Sequence, residues 1–297
     1  MNLARRLQDE VNKRRPRIVV CGDAMVDQWV HGRIEDCQDG CPKFVEESRM
    51  TTPGGAANAA RCLDLWDPVI VDLFSCNELE EEIVLGDAYP IKTRFVKPDG
   101  KILIRWDSEP RPNTKWYRPH NLALEMVGCA AGVLLSDYDK GFLTPEFIRK
   151  VVDLCKERGI PCVADCKREP DLYFGATIKC NKDWNDRHYH SPKGQWNHRV
   201  GGPWVLTLGE RQCVVNPTGQ YDDTHLCGVE KPAVKCVNHV GAGDCFGAHL
   251  TLALACGFSL QDAAALAHSA GRVYVQHPHN RPPYPDEIAA DLDGASR

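Results

Sequence analysis

Gly241-Ala242-Gly243-Asp244 places a carboxylate directly after two closely spaced glycines, just before an Ala- and Leu-rich stretch over 246–256 that reads as a helix. Such glycines let the backbone turn tightly and aim free N–H groups at one point. A helix N-terminus adds partial positive charge, so the place suits a phosphate or a developing oxyanion. A carboxylate is poor company for phosphate there unless it accepts a proton from an attacking hydroxyl. Asp244 is therefore a candidate base, with Gly241, Ala242 and Gly243 as a candidate anion hole. Taken alone, the tetrapeptide reads equally as a turn with Asp as helix cap.

Two further segments could face a ligand. Pro53-Gly54-Gly55-Ala56-Ala57-Asn58 opens an Ala-rich helix with paired glycines that permit close approach, and Asn58 would face back toward the turn with donor and acceptor capacity. A tight loop with close helix packing fits the same residues. Gly22-Asp23-Ala24-Met25-Val26-Asp27 follows an apolar run over 18–21. In parallel α/β sheets ligands bind beyond the carboxyl ends of strands, where two carboxylates can bond sugar hydroxyls; a solvated turn is the plainer alternative. No Gly-x-x-x-x-Gly-Lys-Ser/Thr loop, dinucleotide-binding spacing or protein-kinase motif set is present.

The elements that must position these residues alternate between short apolar runs and helical patterns, which predicts an α/β fold with a mainly parallel sheet. Runs over 18–21, 132–135, 161–165 and 204–208 read as strands. Thr144-Pro145-Glu146 opens a helix that should end near Gly159, since Thr caps it and Pro at the first helical position loses no needed bond. Ser259 and Asp262 form a cap for a last helix to about Gln276. Residues 29–50 and 92–105 break the alternation and read as polar-alternating strands of a small sheet over the mouth of the main domain, whereas 181–202 reads as a long loop.

A net charge of −5 gives no basic field for nucleic acid. Residues 3–13 read as an amphipathic surface helix, not a secretory signal, and no apolar run is long enough to span a bilayer. Fifteen cysteines in a chain of 297 residues suit reduced thiols, and the Cys37/Cys41 and Cys162/Cys166 spacings do not match common zinc patterns. A cytoplasmic protein without nucleic-acid or membrane partners is expected.

The three candidate segments, in this order, resemble the ribokinase (PfkB-type) carbohydrate kinases over most of the chain, and more closely the heptose 7-phosphate kinases among them. Leu135-Ser136-Asp137-Tyr138-Asp139-Lys140-Gly141, Arg105-Trp106-Asp107-Ser108-Glu109 and Asp165-Cys166-Lys167 also look like that branch. The resemblance implies one ribokinase-like domain over 1–297, a three-layer α/β/α sandwich with a small β-sheet lid within about 29–50 and 92–107. It implies ATP-dependent phosphoryl transfer to a sugar hydroxyl, a sugar phosphate such as heptose 7-phosphate being the expected acceptor. Asp244 would be the base. Asp23, Asp27, Gly54, Gly55, Asn58, Asp107, Asp137 and Lys140 would hold the sugar, and Lys167, Asn181, Thr207 and Gly209 the nucleotide. Mg²⁺ would be held through the ATP phosphates and water, without direct side-chain ligands. Lids of that family often pair, so a homodimer through the lid is also expected. The adenylyltransferase half of the bifunctional members is not, since no His-x-Gly-His is present.

The pattern departs from the family on the nucleotide side. Trp184 stands where the family's Asn-x-x-Glu motif has Glu, with Asp183 and Asp186 nearby, and Gln212 replaces a glycine. Asn238 replaces the Asp three residues before Gly241, which puts a monovalent-cation site in question. These departures keep two alternatives open: a different acceptor, such as a free sugar or nucleoside, and a weakened member that binds sugar or nucleotide as a sensor.

Overall fold

The computed structural model describes residues 2–36, 40–75, 90–109, 121–183, 202–209, 211–219, 225–227 and 233–294. Most of the expected loop over 181–202, with Trp184 and Asp186, lies outside them. The order of elements is α1 (Leu3–Arg14), β1 (Arg17–Gly22), β2 (Ala24–Asp36), β3 (Pro42–Gly55), α2 (Ala56–Asp64), β4 (Ile70–Phe74), β5 (Ile91–Val96) and β6 (Ile102–Ser108). There follow α3 (Asn121–Gly128), β7 (Gly132–Ser136), α4 (Pro145–Arg158), β8 (Cys162–Asp165), β9 (Thr177–Asn181), β10 (Trp204–Thr207), β11 (Cys213–Asn216) and β12 (His225–Cys227). Three helices close the described chain: α5 (Ala242–Ala255), α6 (Leu260–Tyr274) and α7 (Pro285–Asp293).

Local chemistry sets the boundaries. Thr144 accepts from the Phe147 amide at the start of α4, and Gly159 ends it in the left-handed region. Ser259 caps α6 through the Asp262 amide. The main sheet runs β12-β11-β10-β9-β8-β7-β1-β4, parallel from β10 to β4 and antiparallel at β11 and β12.

Alternation in its strands supplies two cores. Ile18, Val20 and Leu134 pack with α1, α2, α5 and α6, whereas Val19, Cys21, Val133 and Leu135 pack with α3 and α4. The near-continuous apolar strands thus form the middle of three layers. Cys162 and Cys166 are buried in the second core, and among the described residues no three His, Cys, Asp or Glu side chains group as metal ligands. No helix among them is long and apolar enough to cross a membrane.

The second sheet, β3-β2-β5-β6, is separate. β2 and β3 form a long antiparallel pair over the expected 29–50 region, with a register shift between His31 and Gly32. β5 adds in parallel to β2, and β6 antiparallel to β5. Asp27 faces Lys92 across one rung and Trp29 faces Arg94 across another, so these side chains share one face.

Candidate functional site

Helix α5 begins at Gly241, whose φ of 83° is a left-handed conformation glycine adopts without strain. A Cβ there would lie 2.3 Å from the Tyr274 hydroxyl and 2.5 Å from Asn58 Nδ2. Gly241→Ala therefore combines backbone strain with a double clash, and should lower stability by about 2 kcal/mol or more in urea denaturation.

The helix start is rigidly held from within. His249 Nδ1 lies 2.8 Å from the Cys245 carbonyl, which can only accept, so Nδ1 carries the proton and Nε2 accepts from Trp66 Nε1 at 3.0 Å. Burial pushes this imidazole down to about 4, and it is neutral at physiological pH.

Asp244 is 3% exposed. Burial, the largest influence, raises its carboxyl to about 6, while hydrogen bonds from Tyr138 and Asn58 pull it down. The Tyr138 hydroxyl donates to Oδ1 at 2.6 Å, and Asn58 Nδ2 donates to Oδ2 at 3.1 Å. Asn58, from the first turn of α2, also lies 3.3 Å from the Gly241 carbonyl and 3.1 Å from the Tyr274 hydroxyl, contacts with the Gly241 turn and α6 rather than with its own turn. The glycine turns of two segments nearly two hundred residues apart are thus joined through one carboxamide. The Ala242 amide closes a turn onto the His239 carbonyl at 3.3 Å. That leaves the Gly243 amide as the better placed donor of the expected anion hole.

Lys179 on β9 was missed in the sequence. A Cβ at Gly243 would lie 2.9 Å from its ammonium, which pairs with Asp165 at 2.8 Å, both side chains being 4% exposed. A lysine between Ile178 and Cys180 is the available signal. Beside it a cavity of about 540 Å³ opens, walled by Asn181, Thr207, Gly209, Gly243, Phe246 and Val275 among others. Three of the four expected nucleotide residues line it. Lys167 does not; its ammonium sits 5.0 Å from the centre of the Tyr138 ring, with that of Lys92 at 4.8 Å.

The expected sugar residues divide into two groups. Asp27 is buried between Arg94 Nη1 at 2.6 Å and Asn280 Nδ2 at 3.0 Å, and a Cβ on Gly54 would meet its Oδ2 at 2.4 Å. Asn280 in turn accepts from Asn238 Nδ2 at 3.0 Å, which ties Asp27 to the turn before Gly241. Asp23 and Asp137 stand differently, each 1% exposed. Asp23 accepts the backbone amides of Tyr138, Lys140 and Phe142, while Asp137 accepts from Arg168 and the Tyr173 hydroxyl. In the structure their oxygens hold the 137–143 loop in shape. Lys140 pairs with Glu109 at 2.6 Å, and Asp107 with Arg105. Gly55, with φ 58°, packs on the Asp23 carbonyl.

Residues 193–287 match the pfkB family carbohydrate kinase profile. The bifunctional protein HldE of Granulibacter bethesdensis is 27% identical over 93% of the chain, which spans 65% of that relative's length. A ribokinase of Arabidopsis thaliana, solved with ribose and ATP, superposes with a TM-score of 0.68 at 17% identity, covering 93% of this chain and 98% of that one. Phosphofructokinase-2 of Escherichia coli, solved with potassium, gives 0.67 at 17% identity, covering 94% and 99%. The architecture is the ribokinase-like α/β/α sandwich.

Proposed function

We propose that this chain, a carbohydrate kinase of the pfkB family, transfers the terminal phosphoryl group of ATP to a hydroxyl of a sugar phosphate, with a heptose 7-phosphate as acceptor. The observation that carries the reading is Asp244: a buried, doubly hydrogen-bonded carboxylate at a helix N-terminus, next to a lysine and a nucleotide-sized cavity.

The acceptor oxygen bonds to the γ-phosphorus as the bond to the bridging oxygen breaks. Asp244 takes the hydroxyl proton and ADP leaves. The ammonium of Lys179 and the Gly243 amide stabilise charge on the moving group; positioning and electrostatics supply most of the acceleration. Asn181, Thr207 and Gly209 form the wall for ATP. Its Mg²⁺ would be held through the ATP phosphates and water, near Asn181 and Asp183. When bound, it neutralises phosphate charge.

Asp27, Asn58 and the Gly54–Gly55 turn are assigned to the sugar. Lys92 and Lys167, cations facing the Tyr138 ring beside the base, favour an anionic acceptor. The HldE relatives support the heptose branch. ADP release is to be compared for heptose 7-phosphate, fructose phosphates, ribose and adenosine. The heptose phosphate should lead. Preference for ribose or adenosine would move the acceptor class, and nucleotide binding without turnover of any acceptor would favour a sensor.

The small sheet is proposed as the lid. Its face away from Asp27 exposes Ile104 (60%) and Trp106 (61%), with Ile34 and Ile102 also exposed. Such a face suits a second copy of the chain. Ile104→Glu with Trp106→Glu should convert a dimer to a monomer in light scattering; an unchanged mass would place any dimer contact elsewhere.

A further inference from the structure

We infer that Tyr138 is a positioning residue for phosphoryl transfer, its phenol holding Oδ1 of Asp244 as an oriented hydrogen-bond acceptor. The inference rests on Asp244 being the base.

The geometry suits an ionised partner. A carboxylate oxygen accepts, and the 2.6 Å separation lies in the range of O–H···O⁻ bonds. Asn58, the other donor to Asp244, divides two amide hydrogens among Asp244, the Gly241 carbonyl and the Tyr274 hydroxyl. Among the described residues, the Tyr138 hydroxyl has Asp244 as its one hydrogen-bond partner. It is the dedicated donor.

The fold fixes this phenol from its own backbone outward. Tyr138 directly follows β7 and the buried Asp137, and its amide donates to Asp23 Oδ2 at 2.9 Å. The amides of Lys140 and Phe142 donate to the same carboxylate, so Asp23 moulds the loop around the tyrosine. The ammonium groups of Lys92 from β5 and Lys167 from beyond β8 press on the ring. This explains why a carboxylate as buried as Asp23 lies beside the site without reaching it.

The phenol cannot replace the base. Burial first, and then the negative charges of Asp244, Asp165 and Asp27, push its own ionisation well above the ordinary value, so it remains a donor at every working pH. The groups facing Asp244 are Tyr138, Asn58 from α2, Asp165 from β8, Lys179 from β9, Lys92 from β5 and Tyr274 from α6. Asp165 opposes ionisation and Lys179 favours it, yet these two are paired with each other. The Tyr138 bond is the largest of the influences that offset burial.

Tyr138→Phe removes only the hydroxyl and keeps the ring that the lysines touch. Without this donor the Asp244 carboxyl should titrate roughly one to two pH units higher than its value of about 6. The acid limb of kcat/KM should move up equally, so the defect of the variant shrinks as pH rises. A structural role alone gives a loss independent of pH. The readout without turnover is ¹³C NMR of protein labelled at the aspartate carboxyl carbon, with Asp244→Asn to assign the resonance. An upward shift of that titration in Tyr138→Phe supports the inference; the same midpoint in both proteins overturns it. If the midpoint shifts but Asp244→Asn retains turnover, the base assignment fails while the Tyr138 contact stands.

Discussion

Asp244→Asn lowers kcat by about 1,000-fold, within the range of general-base contributions, while nucleotide affinity changes by less than a few-fold. Asn keeps the volume, and with its Oδ1 accepting from Asn58 and its Nδ2 donating to the Tyr138 oxygen it keeps both contacts, so the pocket around the Gly241 turn persists. What it loses is the acceptor for the hydroxyl proton. The wild-type rate should fall as pH drops through about 6, where burial places the Asp244 carboxyl. The sign follows from the chemistry: below that pH the side chain is protonated and cannot act as a base. Asp244→Asn should show no such limb. Steady-state kinetics over pH 5–8, with nucleotide affinity from calorimetry, checks both parts.

Lys179→Met is expected to cost both activity and stability. The ammonium lies against Gly243, where the transferring phosphoryl group would pass, and losing one such stabilising group typically lowers the rate by about 100- to 1,000-fold. The same change strands Asp165 as a buried, unpaired carboxylate, and breaking a buried pair costs about 3–5 kcal/mol. Lys179→Met/Asp165→Asn separates the effects. The double variant should recover much of the stability, read by urea denaturation, and none of the rate. Recovery of turnover in the double variant would mean that the lysine serves only to neutralise Asp165.

Much of this site was legible in the sequence because local rules set it. Thr144 and Ser259 announce their helices by capping chemistry, and the α5 start follows from glycines before an apolar run. The short apolar strands read as buried because a parallel sheet covered on both faces must be apolar. Other parts were hidden by distance along the chain. Lys179 sits in a five-residue strand whose neighbours pack in the core, and its meaning depends on Asp165 and Gly243 arriving beside it. The Asp27–Asn280–Asn238 chain links residues from opposite ends of the sequence. The loop-holding bonds of Asp23 and Asp137 are not visible in the sequence, where a carboxylate at a strand end looks the same whether it faces solvent or accepts loop amides. Only the fold of the 137–143 loop distinguishes these.

The most direct test is ³¹P NMR of the wild-type chain and Asp244→Asn, each incubated with ATP, Mg²⁺ and a heptose 7-phosphate. The wild type should convert ATP to ADP while a second sugar phosphate resonance grows at the same rate, and Asp244→Asn should leave both spectra almost unchanged over that time. ADP without a new sugar phosphate signal, or equal progress in the variant, would contradict phosphoryl transfer through Asp244.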